Sequence, residues 1–329
     1  MKCINKRFVR ACSLLLVCSL CTISGTGCGE NRLEDAFEAD LPGIGIQTSE
    51  ESSKIPYFAS DLCVTDTDVQ DIEADTEDAL AACFFNLNEK KVLYAKNIHE
   101  RMYPASTTKI MTALVALDKG DLDAQTTVSK EAITFSESGV STAKLKEGDV
   151  LTLRQLLYAL LTMSANDAAN VIAEQIAGSQ DAFVEMMNQE AQKIGATNTH
   201  FVNANGLHSE DHYTTVYDLY LMFNAAMQHE EFLQMLQEKE YQASYQAVDG
   251  TTVEAVWSTT NQFTKGDVTV PDGVTAVGGK TGTTTAAMSC LVQLFEDVQG
   301  EQYVAIILGC KERGTLYQEM LTFLSNLNN

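Results

Sequence analysis

Basic residues are scarce in this 329-residue chain. Only 22 lysines and arginines stand against 45 aspartates and glutamates, a formal net charge of −23. Gripping a phosphate backbone takes patches of Lys and Arg, so this balance excludes a nucleic acid as partner and suits a soluble, extended or extracytoplasmic protein. Long apolar runs are missing too: the longest, in "ACSLLLVCSLCTI", is too short for a comfortable membrane span. Past the N-terminal segment the cysteines are few. Cys63, Cys83, Cys290 and Cys310 form no CxxC pair, which leaves no metal or redox signature. The last three lie in apolar, strand-like runs and read as buried thiols. In an exported chain a disulfide between them stays open. There is no internal repeat. What remains is an ordinary globular composition, 45% hydrophobic and 20% charged, in a chain long enough to bury a sizeable core as one large domain or two ordinary ones.

The N-terminus is organised. "MKCINKRFVR" is basic, the short apolar run follows, and "SGTGC" supplies small residues. That order reads as an export signal over residues 1–28, with an uncleaved anchor as the alternative. Cys28 after Gly27 resembles a bacterial lipoprotein signal, although Gly25 stands where a bulky aliphatic residue is preferred. Plain cleavage and lipidation of Cys28 both stay open. From Gly29 to about Asp78 acidic residues dominate, Arg32 and Lys54 being the only bases. Residues 29–78 are expected to be a mostly disordered tether.

From about residue 79 the patterning becomes regular. "ALAACFFNL" and "KKVLYAKN" predict two strands of a hairpin around "NLNEK". A helix follows Ser106. "TLRQLLYALLTM" predicts a second helix capped by Thr152, and two more close on Gly178 and Gly195. "TTVYDLYLMFNAAMQH" is another. Strands are expected in "YQASYQAV", "TTVEAVWSTT", "AMSCLVQLFED" and "QYVAIILGC", and a last helix in "TLYQEMLTFLSNLN". Strands at both ends with helices between predict one sheet joining the two ends of residues 79–329, with a helical block inserted.

Three short motifs carry chemistry. In "YPASTTKIMTAL", Ser106 and Lys109 lie about one helical turn apart on one face, at the head of a helix whose core face is Ile110, Met111, Leu114 and Leu117. A desolvated lysine near the positive end of a helix dipole can be neutral enough to take a serine proton. A second Ser-x-x-Lys, "STAK" at Ser141 to Lys144, has no long apolar helix behind it. "TMSANDAAN" places Ser164 and Asn166 between two helices, where a loop can present a hydroxyl and an amide to a cleft. "VGGKTGTT" places Lys280, Thr281 and Gly282 ahead of the strand "AMSCLVQLF", a cation with hydroxyls suited to grip a carboxylate and to align a peptide as an added strand. Singly, each is explained as well by a helix cap or a turn lysine.

Together, in this order and spacing, they resemble the serine penicillin-recognising enzymes. Within these the chain is similar to the D-alanyl-D-alanine carboxypeptidases, the low-molecular-mass penicillin-binding proteins. The resemblance runs from about Ala79 to about Leu327 and includes "KVLYAKN", "SANDAANVIAEQIAGS", "FVNANGLH", "HYTTVYDL" and "KTGTT". It implies a β-lactamase/transpeptidase-like α+β fold, an antiparallel sheet flanked by helices with an inserted helical subdomain. It implies that Ser106 is the nucleophile, Lys109 its general base and Ser164 a proton relay. Asn166, Lys280, Thr281, Gly282 and Thr283 would bind substrate, and the backbone N–H groups of Ser106 and Thr283 would form the oxyanion hole. The implied partners are peptidoglycan stem peptides ending in D-Ala-D-Ala, with β-lactams as covalent inhibitors. No cofactor or metal is expected, and the implied place is the outer face of the cytoplasmic membrane or the cell-wall space. Three positions depart from the family pattern: Ala165 where glycine is common, Gly279 where an aliphatic residue is common, and Met288 where glycine is usual. The β-rich C-terminal domain and amphipathic tail of many relatives have no counterpart, so anchoring is expected from the N-terminus.

Three other readings compete. "HSEDH" spaces His208 and His212 like a zinc site, with His200 nearby, but Ser209 replaces the glutamate of HExxH. A β-lactamase on the same fold commonly needs an added glutamate base; Glu174 and Glu185 fall on helices as surface residues. A non-catalytic penicillin-binding sensor or scaffold is opposed by the intact Ser106, Lys109 and Lys280.

Overall fold

The computed structural model describes residues 59–327. The expected export signal, Cys28 and residues 29–58 of the expected tether lie outside the described residues. The strands expected near residue 80 form a hairpin, β2 (Ala81–Asn86) and β3 (Lys91–Lys96). Three strands from the far end of the chain, β8 (Val274–Thr284), β9 (Met288–Asp297) and β10 (Gln302–Cys310), complete the sheet. With β1 (Val69–Gln70) the order is β1-β3-β2-β10-β9-β8, every neighbour antiparallel. The two ends of the domain meet where β2 lies on β10, Phe84 opposite Ala305. This is the expected single sheet joining both ends.

Both faces of that sheet are covered, which is why β2 and β10 are buried along nearly their whole length and read as continuous apolar runs. Cys83, Phe85, Val304 and Ile306 face the helical block, against Ile110, Met111 and Phe223. Ala82, Phe84, Ala305 and Ile307 face the last helix, α8 (Arg313–Leu324), against Tyr317, Met320 and Phe323. Phe84 lies stacked between Tyr303 and Phe323. Burying one such side chain contributes about 1.5–3 kcal/mol.

The block between is built on α1 (Lys109–Lys119), buried from Lys109 to Ala116. Around it pack α2 (Leu153–Leu161), α3 (Asn166–Ala177), α4 (Gln180–Lys193) and α5 (Val216–Ala226). The expected caps are present. Thr152 forms a reciprocal capping box with Gln155, and Gly178 ends α3 in the left-handed region at φ 78°. Two short helices, α6 (Glu230–Gln237) and α7 (Gln262–Lys265), were not expected.

Three expectations need correction. First, "YQASYQAV" and "TTVEAVWSTT" are strands, β6 (Glu240–Gln246) and β7 (Thr252–Ser258), but they belong to a separate four-stranded sheet with β4 (Gln125–Thr127) and β5 (Val150–Thr152). Second, the Lys-Thr-Gly motif does stand ahead of the strand "AMSCLVQLF", which is β9, but it is itself part of a further strand: it lies inside β8, the edge of the main sheet. Third, residues 59–78 are not tether. The Cys63 N–H donates to Tyr220 Oη at 2.9 Å, the Tyr217 hydroxyl donates to the Cys63 carbonyl at 3.0 Å, and the Asp68 carboxylate caps the N–H groups of Asn97 and Ile98. Acidic composition suggested disorder there, yet those carboxylates are used as caps and turn acceptors. Among the described residues, Cys63, Cys83, Cys290 and Cys310 are buried free thiols.

Candidate active site

Ser106 sits in a 3-10 turn, Ala105–Thr108, between Pro104 and α1. The turn is held under constraint. Ala105 has φ 48°, a left-handed conformation that a residue with a Cβ rarely adopts. Two glycines press on it: a Cβ on Gly206 would stand 2.0 Å from the Ala105 oxygen, and one on Gly282 would stand 3.0 Å from Ser106 N and 3.1 Å from Thr107 N. Strand β8 is thus brought against the backbone of the turn, and only a residue without a side chain allows it.

Lys109 opens α1 and is wholly buried. Its Nζ lies 3.0 Å from Ser106 Oγ, donates to Asn166 Oδ1 at 2.7 Å, and donates to the Asn205 carbonyl. Burial pushes its pKa well below the usual lysine value, the charge of Lys280 adds to this, and Asp167 opposes it. An uncharged amine has two N–H bonds and one lone pair. Both oxygens other than Ser106 Oγ can only accept, so they take the two protons and turn the lone pair toward the serine hydroxyl.

Ser164 lies in the link between α2 and α3 at φ 62°, a second left-handed residue with a side chain. Asn166 is the first residue of α3. Ala165 between them has φ −66° and is buried, so no glycine is required there. Lys280 reaches in from β8: Nζ donates to Ser164 Oγ at 2.9 Å and to the Thr281 carbonyl at 2.8 Å. Burial, and then the charge of Arg313, lower its pKa to about 7. Thr281 Oγ1 is 2.6 Å from Thr260 Oγ1. Thr283 is exposed, and its hydroxyl donates to the Gly282 carbonyl at 2.7 Å.

The structure therefore brings all the predicted site residues together: Ser106, Lys109, Ser164, Asn166, Lys280, Thr281, Gly282 and Thr283. The group links two pairs, serine with lysine in each, and Asn166 stands at the first. Several neighbours escaped the sequence reading. Arg313, at the head of α8, donates to Thr283 Oγ1 at 3.4 Å; its only signal was a base, beside Lys311, in an acid-rich chain. The Asn205 carbonyl had no signal, since a backbone oxygen carries no residue identity. The "STAK" segment is a strap rather than a second site. Ser141 Oγ donates to the Met163 carbonyl, the Asn166 N–H donates to the Ser141 carbonyl, and the N–H groups of Ala143 and Leu145 donate to the Asp167 carboxylate.

The histidines are engaged separately. His212 Nδ1 accepts the Val202 N–H at 3.1 Å, which leaves Nε2–H to donate to Thr108 Oγ1 at 2.8 Å. His208 meets the Tyr103 ring edge-on, and His200 Nδ1 lies 2.6 Å from the Asp211 carbonyl. The three do not converge on one point. Glu174 and Glu185 accept from Gln180 and Gln189 on the helical surface.

Comparison with known proteins gives consistent matches. A family model described as D-alanyl-D-alanine carboxypeptidase matches residues 68–311. The D-alanyl-D-alanine carboxypeptidase DacF of Bacillus subtilis is 34% identical over 254 residues, 75% of this chain and 62% of DacF. DacB2 of Mycobacterium tuberculosis is 34% identical over 242 residues, 73% of this chain and 78% of DacB2. The chain thus spans about three fifths of DacF, and 59% of DacC of Escherichia coli. Among solved structures, the Streptomyces K15 DD-transpeptidase superposes with a TM-score of 0.71 at 28% identity, over 77% of this chain and 98% of that one.

Proposed function

Because the chain belongs to the D-alanyl-D-alanine carboxypeptidase family, we propose that it removes the terminal D-alanine from peptidoglycan stem peptides by way of an acyl-enzyme on Ser106. The observation that carries this is the contact of Lys109 Nζ with Ser106 Oγ, with both lysine protons directed at carbonyl acceptors. Ser106 Oγ attacks the carbonyl carbon of the penultimate D-alanine while its proton passes to the Lys109 lone pair. The oxyanion forms between the backbone N–H groups of Ser106 and Thr283, and losing one such donor raises the barrier by about 3–4 kcal/mol. The C–N bond then breaks, and the departing amine receives a proton through Ser164, which Lys280 holds. Water hydrolyses the ester.

Substrate lies along the open edge of β8. Asn166 contacts its amide, while Thr281, Thr283 and Lys280 receive the terminal carboxylate. Arg313 supplies a guanidinium beside a Lys280 whose pKa near 7 leaves it partly uncharged. β-Lactams acylate the same hydroxyl. Residues 1–28 export the domain to the outer face of the membrane, with lipid on Cys28 or simple cleavage as the two endings. The test is D-alanine release from a pentapeptide ending in D-Ala-D-Ala. Release is expected from the intact chain, unaffected by chelator, and should vanish in Ser106→Ala. Release that persists in that variant overturns the assignment.

A further inference from the structure

The string "FVNANGLH" puts no side chain on the reacting groups, yet its main chain touches one of them. The Asn205 carbonyl is one of the two acceptors on Lys109; Asn166 Oδ1 is the other. A buried pair of amides holds that carbonyl. Asn205 Nδ2 donates to Asn170 Oδ1 at 3.0 Å, and Asn170 Nδ2 donates to the Ala132 carbonyl at 3.0 Å. Asn205 Oδ1 accepts the Leu207 N–H at 2.9 Å. All four side-chain polar atoms are therefore engaged, and the two residues are only 4% and 5% exposed. Asn170 follows Asn166 by one turn of α3, so the two share a face of that helix. One residue of that face supplies an acceptor to Lys109 directly. The other grips the residue that supplies the second acceptor.

Packing alone does not ask for this. Apolar side chains fill buried space with no polar group left to satisfy, whereas an amide pair fixes direction. We propose that Asn170 and Asn205 form a positioning clamp that keeps the Asn205 carbonyl on Lys109 and so keeps the lysine lone pair on Ser106. The inference rests on Lys109 acting as the general base. Without the clamp the loop carbonyl withdraws, and one N–H of Lys109 is free to rotate toward Ser106, presenting a donor where an acceptor is needed. Losing an acceptor also disfavours the protonated amine, so the pH at which Lys109 becomes a base moves down.

The experiment follows the rate at which a fluorescent penicillin acylates the full chain at saturation, across pH, with thermal melting as the control for folding. Asn170→Ala and Asn205→Ala are each expected to lower the plateau rate about 10- to 100-fold and to move the acid limb to lower pH. The double variant should be no slower than the worse single one. A folded Asn170→Ala with the wild-type plateau and limb overturns the clamp. So does a slower rate with an unmoved limb, the mark of a merely structural role, and so do single effects that multiply in the double variant. Should Asn170→Ala fail to fold, Asn205→Ala, which leaves α3 and its bond to Ala132 intact, carries the same two readouts. Wild-type chain that takes up no penicillin overturns the Ser106–Lys109 reading itself; normal wild-type uptake with unaltered variants overturns only the clamp.

Discussion

Lys280 and Arg313 act on each other through charge, and the effect can be read in rates. Lys280 is held at about 7 by burial and then by the Arg313 guanidinium. As pH rises through that value the free enzyme loses the ammonium proposed to receive the substrate carboxylate, so kcat/KM should fall on the alkaline side, starting near 7. A bound carboxylate favours the ammonium, so kcat should hold to higher pH. Arg313→Ala removes the repelling charge: the limb of kcat/KM should move up in pH while KM rises about tenfold, measured with the pentapeptide. His212 couples pH to stability instead. Burial first, and then nearby positive groups, lower its pKa from 6.5 to about 3. Between those values the unfolded chain binds a proton and the folded chain does not. Stability should therefore fall as pH drops from 6.5 toward 3, by at most about 1.4 kcal/mol per pH unit. Urea midpoints of wild type and His212→Gln, compared across that range, check it. Met288 is a third case. Its φ of 55° puts a long side chain in the left-handed region, which only glycine enters without strain. Met288→Gly should stabilise by about 1 kcal/mol, the relief of strain less the added freedom of the unfolded chain.

At the scale of elements, the decisive contact is between β8 and the turn before α1. The atoms that a Cβ on Gly282 would meet are Pro104 O, Ser106 N and Thr107 N, all backbone and unable to step aside. Gly282→Ala should lift β8 from the turn and slow penicillin acylation by about 100-fold while leaving the melting temperature close to wild type. In "VGGKTGTT" two glycines and no alternation of apolar residues hide the length of β8, so a turn lysine and a strand edge are equally open there. Gly279 has a particular reason: the Cβ it lacks would lie 2.2 Å from the Val292 carbonyl oxygen and 2.5 Å from Gln293 Oε1 on the facing strand. Gln293 is buried and accepts from Asn261 Nδ2 at 2.7 Å. A polar side chain from β9 thus fills space that an aliphatic residue on β8 would otherwise take. The helices were far more legible. Thr152, Gly178 and Gly195 marked their ends, because caps and left-handed glycines act within a few residues of chain. Helix α6 went unread, a short stretch of eight residues in which polar and apolar side chains are equal in number.

Over the whole molecule, the domain starts earlier than composition suggested. A chain cut to begin at Ala79 loses Cys63 from its contact with Tyr220, the Asp68 cap and the hydrogen bond between Thr76 and Tyr94. Its melting temperature should drop by several degrees or more, roughly 4 °C for each kcal/mol lost, as scanning calorimetry would show. The amino-acid sequence alone determined which chemical groups are present, their order along the chain, most helix ends and the strands β2, β3, β9 and β10 of the central sheet, because periodicity and capping are short-range. It could favour Ser106 and Lys109 over "STAK" but could not supply the surroundings that make them a reactive pair. Those depend on Asn166, Asn205 and Gly282, which reach Ser106 and Lys109 from separate parts of the chain. Only folding put a backbone carbonyl on a buried amine and a bare strand edge against a strained turn. The protonation state of that amine follows from the burial the fold imposes.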